Sequence, residues 1–114
     1  MMIQIFGTKK CKETQKAERF FKERKIDYQF RDLTEKGVSK KELDNFLQFY
    51  ELEELIDKEG KHYKKRNLQY ILHNIETELL EDPLLFKTPI VRLNRKVVLG
   101  YNVDAWSTFA SEAD

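Results

Sequence analysis

The spacing of apolar residues changes twice along this chain. Residues 2 to 6 form a short apolar run that ends at Gly7-Thr8. Such a run reads as a buried strand followed by a turn. From 12 to 25 the spacing is helical, with Ala17, Phe20 and Phe21 on one face. Lys12, Glu13, Lys16, Glu18, Arg19, Lys22 and Glu23 fill the other positions, which makes the helix amphipathic. Residues 26 to 31 then alternate apolar and polar, the period of a strand. A helix between two strands is a crossover, so these strands are expected to be parallel neighbours joined right-handedly.

The middle of the chain is helical throughout. Ser39-Lys40-Lys41-Glu42 is a capping box, a hydroxyl at the cap and a carboxylate three residues on. Leu43, Phe46, Leu47 and Tyr50 follow on one face. Leu52, Leu55 and Ile56 predict a second short helix, broken at Gly60. Leu68, Ile71, Leu72, Ile75 and Leu79 hold helical spacing up to Pro83, as one helix or two.

The last third returns to strands. Residues 90–93 and 96–99 flank Asn94-Arg95, which reads as a hairpin closed by a two-residue turn. Gly100 ends it. Asn102 can cap a final helix with Asp104 in its first turn and Val103, Trp106 and Phe109 or Ala110 facing inward. The order is βαβ, a helical block, then ββα. Without the block this is the order of the thioredoxin fold. The predicted class is α/β, a thioredoxin-like four-stranded mixed sheet with an inserted helical block. One domain is expected over 1–114, its core at about 1–34 and 86–114 and its insert at about 37–83.

Composition narrows the function classes. At 40% hydrophobic and 36% charged, the chain is too apolar for a disordered segment and too charged for a membrane protein. No apolar run can span a bilayer, so no membrane partner is expected. Twenty-one basic residues against twenty acidic ones give +1, which argues against a dedicated nucleic-acid binder. The one cysteine, Cys11, rules out an internal disulfide. The N-terminus lacks the basic head and long apolar stretch of a signal peptide. Both features predict a cytoplasmic protein. With one cysteine and two separate histidines, His62 and His73, no metal site is expected.

Cys11 falls between the first strand and the first helix. A cysteine at a helix start faces unpaired N–H groups and the positive end of the helix dipole. Lys9, Lys10 and Lys12 add positive charge. Both favour the thiolate, the nucleophilic form. The alternative for any single cysteine is a small buried hydrophobe. Thr88-Pro89 heads the third predicted strand, where proline costs no ladder bond. An ordinary trans bond is the commoner reading of any X–Pro pair, but a thioredoxin-like fold implies a cis proline here beside the cysteine loop, with Thr88 near Cys11. The run Lys61-His62-Tyr63-Lys64-Lys65-Arg66 reads as solvated surface, with binding of nucleic acid or an anion as the alternative.

Three segments carry a family resemblance. Residues 6–17, Phe6-Gly7-Thr8-Lys9-Lys10-Cys11-Lys12-Glu13-Thr14-Gln15-Lys16-Ala17, resemble the opening loop of the ArsC/Spx family. Residues 81–91, Glu81-Asp82-Pro83-Leu84-Leu85-Phe86-Lys87-Thr88-Pro89-Ile90-Val91, resemble its "HP-x-L-I-x-R-P-I-V" stretch. Val98-Leu99-Gly100-Tyr101-Asn102-Val103-Asp104 is similar to the "V-G-Y-N-E-D" of the Spx branch. The resemblance implies a thioredoxin-like fold and an arsenate reductase-related thiol oxidoreductase. Cys11 would be the catalytic nucleophile, Lys9, Lys10 and Lys12 would stabilise the thiolate, and Thr8, Thr14, Thr88 and Pro89 would shape the substrate groove. No bound cofactor is implied. Glutathione or a thiol protein such as glutaredoxin would resolve the mixed disulfide.

Departures from the family pattern qualify this. Family arsenate reductases carry an arginine just before the proline, where this chain has Thr88, and another after the Leu-Leu pair, where Leu55-Ile56 is followed by Asp57. An arginine fork suits a tetrahedral anion, whereas one hydroxyl and one carboxylate do not. Weak or absent arsenate reduction is therefore expected unless Lys87, Lys58 or Arg92 substitutes. The Cys-x-x-Cys switch of Spx is also missing, because Thr14 occupies its second position. The alternative function is an Spx-type transcription regulator that docks on RNA polymerase.

Overall fold

The computed structural model describes residues 2–68 and 74–113. In chain order the elements are β1 (Ile3–Gly7), α1 (Lys12–Glu23), β2 (Tyr28–Asp32), α2 (Lys40–Phe46), α3 (Leu52–Leu55), α4 (Lys61–Lys65), α5 (Ile75–Glu81), a 3-10 turn (Pro83–Leu85), β3 (Ile90–Leu93), β4 (Lys96–Leu99) and α6 (Val103–Ala113). They fall into two compact units, Met1–Asp32 with Thr88–Asp114, and Leu33–Lys87. No helix among the described residues is long and apolar enough to cross a membrane.

The first unit is a four-stranded mixed sheet in the order β2-β1-β3-β4, with helices α1 and α6. β1 pairs parallel with β2 and antiparallel with β3, so Ile5 lies between Phe30 and Val91. Alternation sends Ile3, Ile5, Val91 and Leu93 to one face, where Ala17, Phe20 and Phe21 of α1 and Trp106, Phe109 and Ala110 of α6 cover them. Phe20 meets Phe21 edge-on at 5.1 Å and Trp106 at 5.6 Å, distances typical of favourable aromatic pairs. This is the thioredoxin-like arrangement expected from the βαβ and ββα order.

One boundary and one side-chain facing differ from the periodicity. The second strand begins at Tyr28, not at residue 26. α1 ends in a left-handed exit, with Lys25 at φ 57 and the Ile26 N–H donating to the Phe21 carbonyl at 3.0 Å. That cap consumes the residues expected to start the strand. In α6, Val103 is 37% exposed rather than inward-facing, because the helix reaches the core only from Trp106 onward. The hairpin is as expected, with Asn94 at φ 57 in its turn. Asn102 caps α6, its Oδ1 accepting from the Ala105 N–H at 3.1 Å.

The second unit is helical. The Ser39 hydroxyl accepts from the Glu42 N–H at 3.1 Å and the Glu42 carboxylate accepts from the Ser39 N–H at 3.0 Å, completing the capping box. α2 buries Leu43 and Phe46, then gives way to tighter turns before Tyr50. Ile56 is not helical as expected. It is extended and bridges Phe86, while the Asp57 N–H donates to Leu85 and the Lys87 N–H donates to Leu55. The basic run becomes helix α4, which buries Tyr63 and exposes Lys61, Lys64 and Lys65. α5 starts at Ile75 under the Asn74 cap and stops before Pro83. Ile71, Leu72 and His73 lie outside the described residues.

Tyr28 joins β2 to α1 by donating its phenol to Glu18 at 3.0 Å. Burial, then the hydrogen bond to Glu18 and its negative charge, push the phenol up to about 12. The folded state then holds its proton above the unfolded value of 10.0, so stability present below pH 10 is lost as pH rises towards 12. Absorbance at 295 nm should show this late tyrosine. Glu18→Gln should bring its midpoint down, and urea midpoints should fall above pH 10 less steeply in that variant.

Candidate active site

Cys11 is the N-cap residue of α1, with extended backbone at φ −75 and ψ 119. Its N–H donates to the Thr8 carbonyl at 3.2 Å and its carbonyl accepts the first helical bond, from Gln15, at 3.0 Å. The Gln15 side chain reaches back to the Lys9 carbonyl at 2.6 Å, closing the loop on itself. The first helical turn therefore holds the loop in place, and the cysteine side chain is left half-buried with no cap bond of its own.

The partner of the sulfur comes from the head of β3. The Thr88 hydroxyl donates to Cys11 Sγ at 3.1 Å, and the thiol faces the Thr88 carbonyl at 3.8 Å. The Thr88–Pro89 peptide is cis, as expected from the sequence. The Pro89 carbonyl accepts from the Gly100 N–H at 2.8 Å, so the end of β4 anchors the proline. A hydroxyl aimed at sulfur supports negative charge on it, and the thiol remains open to solvent on its exposed side.

The remaining expected residues are placed as follows. Lys9, Lys10 and Lys12 are exposed around the loop, and Thr8 is half-buried. Thr14, expected in the substrate groove, is instead fully buried. A Cβ at Gly7 would lie 2.4 Å from Thr14 Oγ1, so Thr14 packs into the space that the glycine leaves. Its hydroxyl has no hydrogen-bond partner among the described residues. Gln15 and Gly100 were missed by sequence reasoning. Gln15 falls within the resembling segment, but nothing in its spacing shows that its side chain turns back.

In the second unit, Asp57 is a turn residue. Its carboxylate accepts from the Glu59 N–H at 3.2 Å, and a Cβ at Gly60 would meet that carboxylate at 2.8 Å. Lys58 pairs with Glu53. His62 pairs with Asp82 at 2.6 Å, and Arg66 joins Asp82 at 2.9 Å and Glu78 at 2.7 Å. In the sheet, the Arg92 Nε donates to Gln4 at 2.7 Å and its guanidinium lies 5.3 Å from the Phe6 ring centre. Lys58 and Arg92, weighed as oxyanion substitutes, are thus engaged elsewhere.

The family model for the ArsC family matches residues 6–109, nearly the whole chain and all of the cysteine loop and proline strand. The chain belongs to the ArsC family. Among curated proteins, this ArsC-family chain is similar to the "global transcriptional regulator Spx" of Staphylococcus aureus (strain Mu50), at 26% identity over 90% of this chain and 82% of that one. Among solved structures it is similar to the YffB protein, with a TM-score of 0.82 and 20% identity over 96% and 99% of the two chains. An arsenate reductase from Vibrio cholerae gives 0.78 and 21% over 96% and 98%. At such identities these two structures establish the fold.

The contact of Gly7 with Thr14 is testable. Gly7→Ala should destabilise the protein by about 1–3 kcal/mol, the usual range for overpacking. In a Thr14→Ala background the same change should cost much less. Urea titration of the four proteins measures the coupling.

Proposed function

We propose that this ArsC-family protein is a single-cysteine thiol oxidoreductase related to arsenate reductase, acting on disulfides rather than on arsenate. The observation that carries the reading is the Thr88 hydroxyl donating to Cys11 Sγ at 3.1 Å at the N-terminus of α1. Cys11 as thiolate attacks one sulfur of a disulfide. The new S–S bond forms as the old one breaks, and the departing sulfur takes the electron pair and then a proton. The chain has no second cysteine. An external thiolate, from glutathione or a protein such as glutaredoxin, must therefore attack the mixed disulfide and release Cys11. Thr88 and Pro89 form the wall against which the partner disulfide docks, and exposed Lys9, Lys10 and Lys12 support the thiolate. Such a cycle belongs in the thiol-rich cytoplasm.

Arsenate fits this site poorly. Thr88 supplies one neutral donor where an arginine would supply a charged fork. A second reading is favoured by the likeness to Spx, which covers 90% of this chain. In that reading the protein is a transcription regulator docking on RNA polymerase, without contacting nucleic acid itself.

With hydroxyethyl disulfide, glutathione and glutathione reductase, NADPH consumption should be measurable. Cys11→Ser should abolish it, and Thr88→Val should lower it ~10-fold, the effect of about 1.4 kcal/mol on a barrier. A fully active Cys11→Ser protein would end the thiol reading. Arsenate in the same coupled assay, with glutaredoxin added, should turn over near background, and robust turnover would show that other cations hold the oxyanion. Co-purification with RNA polymerase that survives Cys11→Ser would favour the regulator.

A further inference from the structure

The surface around Cys11 is charged and aromatic in a way that the thiol chemistry does not require. Lys9, Lys10, Lys12 and Lys16 are exposed, and none has an ion pair among the described residues. By contrast Lys40, Lys58, Lys64 and Lys96 each meet a carboxylate. Glu13 is the only acid between 9 and 16, leaving this stretch at +3 (four lysines, one glutamate) on a chain of +1.

Tyr101 stands beside this stretch. It is 56% exposed, yet its ring is held on two sides. Fully buried Trp106 meets it edge-on at 5.2 Å, and Lys16 Nζ lies 5.2 Å from its centre. A chain of contacts ties it to the sulfur. Tyr101 follows Gly100, whose N–H donates to Pro89, and Pro89 follows Thr88, whose hydroxyl donates to Cys11. Asp104, in the first turn of α6, is the nearest acid to Tyr101 in sequence.

We propose that Tyr101, Lys16 and the lysines of the cysteine loop form a docking surface for an acidic, extended segment of a partner protein whose disulfide Cys11 attacks. The inference rests on the thiol-exchange reading and names its substrate class. Carboxylates of the segment pair with ammonium groups that meet no carboxylate among the described residues, and an apolar side chain covers the exposed face of Tyr101. Lys12 and Lys16 are one helical turn apart, about 6 Å, and an extended chain advances roughly 3.3 Å per residue. Matching those two lysines alone therefore takes about two residues of extended chain, and the loop lysines and Tyr101 add to that length. The ring already rests on buried Trp106, so it loses less side-chain freedom on docking than an unsupported one would.

The test uses hexapeptides with one central cysteine joined by a disulfide to 5-thio-2-nitrobenzoate. Their flanks are glutamate, glutamine or lysine. Cys11 attack releases the chromophore, read at 412 nm. At low salt the acidic peptide should react ~10-fold faster than the neutral one and the basic peptide slower, with the ratio collapsing in 0.5 M NaCl. Tyr101→Ala and Lys16→Ala should each bring the acidic-to-neutral ratio towards one, and Lys16→Glu should lower it further. Lys22→Ala, on the same helix but outside this surface, should leave the ratio unchanged. Reaction of all three peptides at equal rates would overturn the docking surface while leaving thiol exchange in place. No reaction with any peptide would overturn both. Glutathione coupled to the same chromophore carries negative charge without the length, and an acidic preference equal to that of the hexapeptide would overturn the extended segment.

Discussion

The sheet unit depends on the double pairing of β1. Its five residues pair parallel with β2 and antiparallel with β3, while Ile3 and Ile5 enter the core between α1 and α6. Because β3 runs antiparallel to β1, the start of β3 must lie at the end of β1. Phe6 faces Ile90. The loop that leaves β1 at Gly7 and the Thr88–Pro89 segment that enters β3 therefore meet at one end of the sheet. Contact between Cys11 and Thr88, 77 residues apart, is a consequence of that register. A slip of one residue would turn Ile3 and Ile5 out of the core and separate the hydroxyl from the sulfur.

The residues around the sulfur divide into those that hold the loop and those that face solvent. Gly7 and Thr14 share one packed space, Gln15 ties the helix to Lys9, and Gly100 holds Pro89. These contacts position a half-buried thiol with a neutral donor beside it. The two positions where the family resemblance implies arginine, Thr88 and Asp57, are engaged locally. Thr88 serves the sulfur, and Asp57 organises the turn before α4. Beside the thiol stands one neutral hydroxyl, not the charged fork that suits a tetrahedral oxyanion.

Regular segments were legible because each buries one face. The helix with Ala17, Phe20 and Phe21, the hairpin around Asn94, the Ser39 capping box and the Asn102 cap all follow local rules. Sequence reasoning failed where a residue served a neighbour rather than its own element. Ile26 was taken into a left-handed helix exit and Ile56 into a bridge with Phe86, although both fit an apolar pattern. Val103 is in phase with Trp106 but lies on a turn that the core does not reach. The aromatic residues are mainly core, yet Phe49 and Tyr101 stand about half exposed, which periodicity cannot show.

Local patterning by itself determined the order of strands and helices, the parallel crossover, the hairpin and the position of the lone cysteine at a helix start. Each of these depends on residues within about a turn or a strand of one another, where spacing and caps carry the energy. The fold implied that Thr88 lies near Cys11; tertiary structure decided the hydroxyl-to-sulfur contact itself, the burial of Thr14, and which lysines meet no carboxylate among the described residues. Those outcomes depend on strand register and on where distant side chains end up. One packed geometry satisfies them together, and no local pattern in the sequence encodes the contact.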